Sequence, residues 1–230
     1  MTLNVMQFFD QAVSEYDELI QAAIPRYDEI FWAMFYYLPE DFNPTNILEL
    51  GCGTGNLTRL IAKRWPESQI TIVDISKEML KETSQRLNSP NLTPIESTFE
   101  ALAFPDSSFD LVMSSFSIHH MLDADKRNLF HQLAHWLKPD GFFVMGDMLV
   151  PESAHLRSAN MQELERVASK NGASETHLHE WREHRQTLDH YASWSSIQQW
   201  LEEAQMTSPA LLYSYLFNSV IQSQKTAWSL

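Results

Sequence analysis

The sequence predicts an α/β fold in which most strands of one sheet run parallel. Between residues 46 and 150, short β-branched and apolar segments alternate with segments whose apolar residues recur at helical spacing. Repeated strand–helix units of this kind form parallel sheets with right-handed crossovers. In addition, three of the six glycines, Gly51, Gly53 and Gly55, directly follow the first apolar run, "NILEL". Glycine at that position predicts a tight turn between a buried strand and a helix.

The segment before this alternation is helical in pattern over residues 5–38. Pro25 interrupts it, and a second, aromatic helix follows in "RYDEIFWAMFYYL". We expect residues 1–45 to form a helical cap. The apolar residues at helical spacing in the first part are Phe8, Phe9, Ala12, Val13, Tyr16, Leu19 and Ile20.

The alternating region, residues 46–150, supplies five strands and the helices between them. Ser76 is a suitable N-cap for the second of these helices, because its hydroxyl can accept a backbone N–H. "KPDG" ends the third helix, where we expect Gly141 to supply a left-handed C-cap. We predict strands at residues 46–50, 69–75, 92–98, 109–117 and 142–150, and helices at residues 56–65, 76–87 and 126–137.

The remaining chain differs in pattern from the core. Residues 151–205 are polar and helical, and we expect two or three inserted helices that form a lid. Residues 206–230 contain "ALLYSYLFNSVIQSQ", which predicts two strands with a tight connection. All four segments are interpreted as parts of one domain. Aromatic residues outside the sheet should pack the cap and lid onto the core: Trp32, Phe35, Tyr36, Tyr37, Trp181, Tyr191 and Trp194.

Charge and composition exclude several classes of function. The formal net charge is −14, which opposes tight binding to DNA or RNA. Cys52 is the single cysteine, so neither an internal disulfide nor a cysteine metal cluster is expected. The first residues lack a basic segment, and no apolar run approaches the roughly 20 residues of a membrane span. We therefore expect a cytoplasmic protein without a nucleic-acid or membrane partner.

The glycine turn has the chemistry of a nucleotide site. Its backbone can approach a ligand closely, beside the positive end of the following helix. The spacing is G-x-G-x-G, whereas dinucleotide-binding enzymes use G-x-G-x-x-G. Asp74, 23 positions after Gly51, ends the second strand, where its carboxylate can accept hydrogen bonds from ribose hydroxyls. The alternatives are a turn that binds nothing and an Asp74 that only caps the next helix.

Four motifs in this order resemble the class I S-adenosylmethionine-dependent methyltransferases. They are "LELGCGTG", "VDIS", "FPDSSFDLVMSSFSIHHM" and "LKPDGFFVM", and the resemblance covers residues 46–150. It implies a Rossmann-like, seven-stranded, mostly parallel sheet in the order 3-2-1-4-5-7-6. It also implies S-adenosylmethionine as the cofactor.

The resemblance assigns cofactor roles to matching positions. Gly51, Cys52, Gly53 and Gly55 would face the methionine part, and Glu49 would lie beneath its amino group. Asp74 would hold the ribose, while Ile75 and Met79 would pack on the adenine. Thr98 and Phe99 would lie at the adenine edge, and Ser115 and Phe116 would line the methionine and the reaction centre. Many family members have Asp where this chain has Thr98; the Phe99 backbone or the Glu100 side chain would have to replace that contact.

The N-terminal stretch "FFDQAVSEYDELIQAAIPRYDEI" resembles the leading helices of a subgroup that includes the carboxy-S-adenosylmethionine synthases. In that pattern Tyr27 would close over the cofactor and bind its carboxylate. The alternative is an aromatic core residue.

Two adjacent histidines follow the fourth strand, at the sheet edge where open α/β folds bind ligands. His119 or His120 would serve as the general base for a hydroxyl or amine acceptor. The alternative is a structural transition in which one histidine bonds to the backbone.

The lid offers further polar side chains. We expect no metal site there and interpret its histidines as a solvated helix face. Arg182 and Arg185 could reach an anionic substrate or a carboxylate on the cofactor, or pair with Glu180 and Glu183. Tyr36 and Tyr191 are further candidates for contacts with substrate. The lid histidines are His177, His179, His184 and His190.

Together these features favour methyl transfer from S-adenosylmethionine to a small molecule, by in-line attack on the methyl group. A role like that of carboxy-S-adenosylmethionine synthase and a non-catalytic binding protein are the alternatives. The glycine spacing opposes an NAD-dependent oxidoreductase.

Overall fold

The computed structural model describes residues 16–226. The expected helical positions Phe8, Phe9, Ala12 and Val13 therefore lie outside the described residues. The described helices are α1 (Tyr16–Ala23), α2 (Tyr27–Tyr36), α3 (Asn56–Arg64), α4 (Lys77–Leu87), α5 (Asp123–Trp136), α6 (Ala154–Lys170), α7 (Glu175–Thr187) and α8 (Trp194–Glu203). The strands are β1 (Asn46–Leu50), β2 (Gln69–Asp74), β3 (Leu92–Glu96), β4 (Phe109–Ser115), β5 (Leu137–Met148), β6 (Met206–Tyr215) and β7 (Asn218–Lys225).

The seven strands form one sheet in the order β3-β2-β1-β4-β5-β7-β6, which confirms the expected order. The first five strands pair in parallel, and β7 runs antiparallel to both β5 and β6. At the carboxyl end of β1, Leu50 lies between Val73 of β2 and Ser114 of β4. The chain must reverse the direction of its crossovers at β1, which opens a crevice at the carboxyl ends of β1 and β4.

Helices cover both faces of the sheet. Successive residues of β4 face opposite sides, so Leu111 and Met113 join one core cluster and Val112 joins the other. The α2 helix lies close over β5, because Gly146 has no side chain there. A Cβ at Gly146 would come within 2.8 Å of the sulfur of Met34.

The junction between α5 and β5 differs from the expected C-cap. The helix ends at Trp136, β5 begins at the next residue, and Asp140 is the residue with a positive φ, of 63°. Gly141 is therefore not the left-handed residue. Glycine is required at position 141 for space, since a Cβ there would lie 2.9 Å from the Lys138 carbonyl oxygen.

The inserted segment forms three helices, each begun by a serine whose hydroxyl accepts a backbone N–H. Ser153, Ser174 and Ser193 are these N-caps. Between α7 and α8 the chain returns to the sheet, where Val150 N donates to the Ala192 carbonyl at 3.0 Å and His190 N donates to the His119 carbonyl at 2.7 Å. These bonds hold residues 188–192 against the carboxyl ends of β4 and β5.

The expectation that aromatic side chains fasten the cap is met only in part. Phe35 packs on Trp65, and Tyr191 stacks on Phe217. Trp32, Tyr36 and Tyr37, however, stack on one another and are 53%, 62% and 43% exposed. They lie near the carboxyl end of α2, on the side of the helix that faces away from the sheet.

No described helix is both long and apolar enough to cross a lipid bilayer.

Candidate active site

The glycine turn after β1 adopts backbone angles that favour glycine. Gly51, Gly53 and Gly55 have φ values of 72°, 51° and 88°. The amides of Gly51 and Cys52 donate to the Val73 carbonyl at 2.8 and 3.1 Å, which fixes the turn to β2. A Cβ at Gly51 would overlap the side chain of Ser117. Both the angle and the lack of space therefore require glycine at position 51.

Asp74 organises this turn. One carboxylate oxygen accepts from Gly53 N at 2.9 Å and the other accepts from Ser76 N at 2.9 Å. The N-cap of α4 is Ser76, whose hydroxyl accepts from Met79 N at 3.1 Å, as the sequence predicts. Asp74 thus links the two loops at the ends of β1 and β2, and it is not the capping residue of α4.

A solvent-open pocket lies at these loops, and we call it the glycine-loop pocket. It joins the Asp74 carboxylate, on one side, to the His120 imidazole on the other. Ser117 also lines it; this residue lies within the motif of the fourth strand but is not among the residues that the sequence predicts to bind the cofactor. The residues that line the pocket are Gly51, Gly53, Asp74, Ile75, Met79, Phe99, Ser115, Phe116, Ser117 and His120.

Beside this pocket lies a buried group of ionisable side chains, which we call the His–Asp cluster: His119, His120, Asp147, His184, Asp189 and Tyr191. The turn Ile118–His120 follows β4 and carries both histidines. Asp147, near the end of β5, accepts from His119 N at 3.1 Å, and its other oxygen lies 2.5 Å from His119 Nδ1.

Asp189 is the centre of the cluster. Its Oδ1 lies 3.1 Å from His120 Nδ1, 3.2 Å from His184 Nε2 and 3.6 Å from His119 Nε2. Its Oδ2 accepts from the Tyr191 hydroxyl at 2.5 Å. Asp189 arrives from the inserted segment, because the bond from His190 N to the His119 carbonyl holds that segment here.

The cluster shifts the pKa values of its members in opposite directions. Burial, together with the neighbouring His119, lowers the pKa of His120 to about 4. Burial alone would also lower the pKa of His119, but Asp147 and Asp189 outweigh it and raise that pKa. Burial opposes ionisation of Asp189, yet the surrounding histidines hold its pKa well below the usual value.

Comparison with known families agrees with this geometry. A family model described as a methyltransferase domain matches residues 47–141, from within β1 to within β5. Over residues 47–141 the chain matches the class I S-adenosylmethionine-dependent methyltransferases. This confirms the resemblance seen in the four sequence motifs; the more specific likeness to carboxy-S-adenosylmethionine synthases stays a prediction.

Relatives of the methyltransferase domain have several functions. An uncharacterized methyltransferase of Bacillus pumilus is 28% identical over 160 residues, 67% of this chain and 72% of the relative. A demethylmenaquinone methyltransferase of Thermotoga maritima is 28% identical over 65% of this chain, which spans 64% of that relative. The N-methyltransferase NodS of Bradyrhizobium japonicum, solved with S-adenosylhomocysteine, has the same fold, with a TM-score of 0.66, 15% identity and coverage of 96% and 97% of the two chains.

Glu49 supplies a test of whether the residues present suit the family's cofactor. Its side chain is fully buried in β1, and neither carboxylate oxygen makes a hydrogen bond of normal geometry within the described residues. Burial raises its pKa to about 8, and the neighbouring Thr58 offsets only part of that shift. A buried acid whose oxygens make no hydrogen bond of normal geometry among the described residues fits a ligand that brings a cation, such as the amino group of S-adenosylmethionine.

The other expected cofactor residues surround the glycine-loop pocket without lining it. Tyr27 is half-buried, and its ring stacks over Phe116 at a centroid distance of 5.7 Å. Burial raises the pKa of Tyr27 well above its usual value. Cys52 is buried in the turn, and burial also raises the pKa of its thiol. Gly55 precedes α3, and Thr98 precedes the short turn Phe99–Ala101.

The expected lid contacts are placed away from the pocket, except for Tyr191. Tyr36 is exposed on α2. Arg182 and Arg185 form ion pairs with Glu165 of α6, at 2.8 and 3.4 Å, and not with Glu180 and Glu183. These pairs hold α7 against α6.

One lid histidine departs from the expected solvated face. His179 and His190 are exposed, but the His184 side chain is only 14% exposed and faces Asp189. Helical spacing alone does not show that a loop after α7 folds back onto this residue. Sequence reasoning also misses Asp147 and Asp189; a carboxylate at the end of β5 is the one available signal.

Proposed function

We propose that this methyltransferase domain transfers a methyl group from S-adenosylmethionine to a small-molecule acceptor. The observation that carries the proposal is the extent of the glycine-loop pocket. One cavity reaches from the Asp74 carboxylate to the His120 imidazole. The Asp74 carboxylate could therefore bind the ribose of the cofactor, while the His–Asp cluster could take part in proton transfer from an acceptor bound beside it.

The residues around the pocket would hold the cofactor as follows. Asp74 accepts from the ribose hydroxyls, and Glu49 pairs with the amino group. Ile75, Met79 and Phe99 provide apolar surface for the adenine. When bound, S-adenosylmethionine supplies a methyl group on a positively charged sulfur, so positioning of the acceptor lone pair provides much of the catalysis.

The His–Asp cluster would assist loss of the acceptor's proton. His120 is the histidine that lines the pocket, whereas both ring nitrogens of His119 face carboxylates, Asp147 and Asp189. Of the two histidines selected from the sequence, His120 would thus be the one to meet an acceptor.

Charge and enclosure support a small acceptor. A net charge of −14 opposes binding of nucleic acid. Tyr27 stacks on Phe116, which lines the pocket, and residues 188–192 bring Asp189 and Tyr191 next to His120 and His119. A small molecule fits such an enclosed site better than the surface of a protein.

Remodelling of the cofactor has less support. That alternative needs an arginine for an added carboxylate, and the two candidates from the sequence, Arg182 and Arg185, both pair with Glu165. No arginine lines the glycine-loop pocket among residues 16–226.

Isothermal titration tests the cofactor assignment. We expect S-adenosylmethionine and S-adenosylhomocysteine to bind and NADH not to bind. Asp74→Ala should weaken binding more than about tenfold, because each lost charged hydrogen bond is worth roughly 1.5–3 kcal/mol. Asp74→Asn keeps one acceptor oxygen, so its affinity for S-adenosylmethionine should lie between those of the parent and of Asp74→Ala. Asp106→Ala removes an exposed acid and should bind as the parent does.

A turnover assay tests the acceptor class. The protein is incubated with S-adenosylmethionine and with cell extract separated by molecular size, and the formation of S-adenosylhomocysteine is measured. Turnover in the low-mass fraction supports the proposal. Turnover with nucleic-acid or protein fractions alone would contradict it, and so would NADH binding in place of the sulfonium. Mass analysis of the copurified nucleoside would reveal a carboxylated cofactor, the signature of the alternative.

A further inference from the structure

We propose that His119, His120 and Asp189 bind one divalent transition-metal ion at the inner end of the glycine-loop pocket. Imidazole and carboxylate ligands are those that zinc, iron(II), cobalt and nickel accept. The site is not expected from the sequence, because Asp189 lies 69 positions after His120 and shares no motif with it. Its role in catalysis rests on the proposed function, but metal binding itself does not.

The three side chains converge as ligands do around an ion. Each offers one ligand atom, and these atoms all lie within 4.8 Å of one another. Asp189 Oδ1 is 3.1 Å from His120 Nδ1 and 3.6 Å from His119 Nε2. Ligands bound tetrahedrally at about 2.0–2.2 Å are separated by roughly 3.3–3.6 Å. An ion can therefore enter with small movements of the side chains.

The partners of these side chains are those that metal ligands use. Asp147 engages His119 Nδ1 at 2.5 Å, which leaves Nε2 to face Asp189. Tyr191 donates to Asp189 Oδ2 at 2.5 Å, which leaves Oδ1 to face the histidines. Metal-binding histidines are commonly oriented by a carboxylate on the other ring nitrogen, and ligating carboxylates are themselves hydrogen-bonded.

Asp189 Oδ1 provides an independent observation. The Asp189 side chain is 3% exposed, and this oxygen makes no hydrogen bond of normal geometry within the described residues. Imidazole nitrogens of His120, His184 and His119 lie 3.1, 3.2 and 3.6 Å from this oxygen, so the possible ligand atoms converge on it. Asp147 is equally buried, so the cluster holds two carboxylates that a cation would stabilise.

Three protein ligands leave a coordination position open, as in catalytic sites. His120 lines the pocket, so the open position faces the space proposed for the acceptor. An acceptor hydroxyl bound there would lose its proton to solvent at a lower pH, because the ion stabilises the oxyanion. The ion would thus promote the proton loss that His120 would otherwise promote alone, and the acceptor would be a small molecule that can coordinate a metal.

Cobalt titration of the full chain tests the site. The protein is treated with a chelator, dialysed and titrated with Co²⁺, which gives visible absorption bands when bound by imidazole and carboxylate. We expect about one ion per chain and loss of the bands on addition of Zn²⁺. His120→Gln and Asp189→Asn should each weaken binding at least about tenfold.

The control is His179→Gln, since His179 is exposed on α7 and should leave the cobalt spectrum unchanged. Circular dichroism and S-adenosylmethionine titration of every variant show that the fold and the cofactor site persist. Binding of far less than one ion, or bands that survive both substitutions, would overturn the proposal. Failure to bind S-adenosylmethionine with a normal cobalt titration would reject the proposed function and leave the metal site standing.

Discussion

Burial sets the charge of Glu49 before any ligand arrives. Its pKa of about 8 means that the carboxyl group carries a proton at pH 7. Pairing with the amino group of S-adenosylmethionine would favour the carboxylate, so binding must expel that proton.

We predict that S-adenosylmethionine binding at pH 7 releases most of one proton, and that affinity rises with pH up to about 8. Calorimetry in buffers of different ionisation enthalpy measures the release. Glu49→Gln should abolish it and weaken binding, while Glu78→Gln, an exposed acid, should change neither. Equal proton release from parent and Glu49→Gln would show that another group titrates.

The raised pKa of Glu49 should also affect the stability of the unliganded protein. A carboxyl group whose pKa rises from 4.5 to about 8 on folding binds its proton more tightly in the folded state. It therefore lowers the free energy of unfolding by about 1.4 kcal/mol for each pH unit between those values. Glu49→Gln should remove this loss and be the more stable protein above pH 8, as urea unfolding would show.

Single residues differ in how well the sequence indicates their roles. Asp74 can be selected because it ends a strand at a fixed distance from the glycines. Glu49 can be selected only through the family resemblance, since its burial is not visible from alternation alone. Asp189 cannot be selected, because its place depends on backbone bonds between residues distant in sequence, such as His190 N to the His119 carbonyl.

At the scale of elements, the turn from β1 to α3 combines two demands on Gly51. The backbone has φ of 72°, and the Ser117 side chain fills the space that a Cβ would need. Ser117 in turn bonds to the Leu50 carbonyl at 3.0 Å, so it cannot move away without a loss. The turn is therefore locked between β1 and the end of β4.

We predict that Gly51→Ala costs more stability than Gly172→Ala. Gly172 also has a positive φ, of 95°, but nothing lies within 4 Å of the point where a Cβ would stand. Gly172→Ala should therefore cost about 1–2 kcal/mol, the left-handed strain alone. Gly51→Ala adds the overlap and should cost about 1–3 kcal/mol more.

Denaturant unfolding of both variants measures this difference. The double variant Gly51→Ala/Ser117→Gly should regain the stability that is lost to the overlap, but not the stability that is lost to the left-handed backbone strain. Equal losses for the two single variants would show that Ser117 adjusts freely.

Elements are predicted well where periodicity decides them and less well where neighbours do. The strands and the three inserted helices follow the apolar pattern. The left-handed residue is Asp140 and not Gly141, because β5 starts directly after α5 and space at position 141 is limited by the Asp110 and Lys138 carbonyls. The inward orientation of His184 is also set by a neighbour, because Asp189, which it faces, lies in the segment after its helix.

At the scale of the molecule, the order of the strands follows from the family resemblance, but the closure of the site does not. Closure depends on two segments outside the sheet, the N-terminal helices and residues 188–192. The first is tied to the glycine turn by Asp17 of α1. Its carboxylate accepts from Thr54 Oγ1 at 2.6 Å, Asn56 Nδ2 at 2.9 Å and Arg86 at 2.5 Å.

We predict that Asp17→Ala releases α1 and α2 from the core without unfolding the sheet. Burial would raise the pKa of Asp17, but hydrogen bonds from Thr54 and Arg86 lower it, so the ionised form is the one that holds the joint at pH 7. Hydrogen exchange should quicken in residues 16–36 while β1 and β4 stay protected. Asp41→Ala, an exposed acid, is the control.

The same joint should couple the helices to the cofactor. Thr54 and Asn56 flank the last glycine of the turn, so a looser α1 also loosens the turn that must hold the ligand. S-adenosylmethionine should bind Asp17→Ala several-fold more weakly and, once bound, should restore part of the protection in residues 16–36, because coupling between two sites is reciprocal. Faster exchange spread evenly over the sheet would instead show general destabilisation, and unchanged exchange would show that other contacts hold the helices.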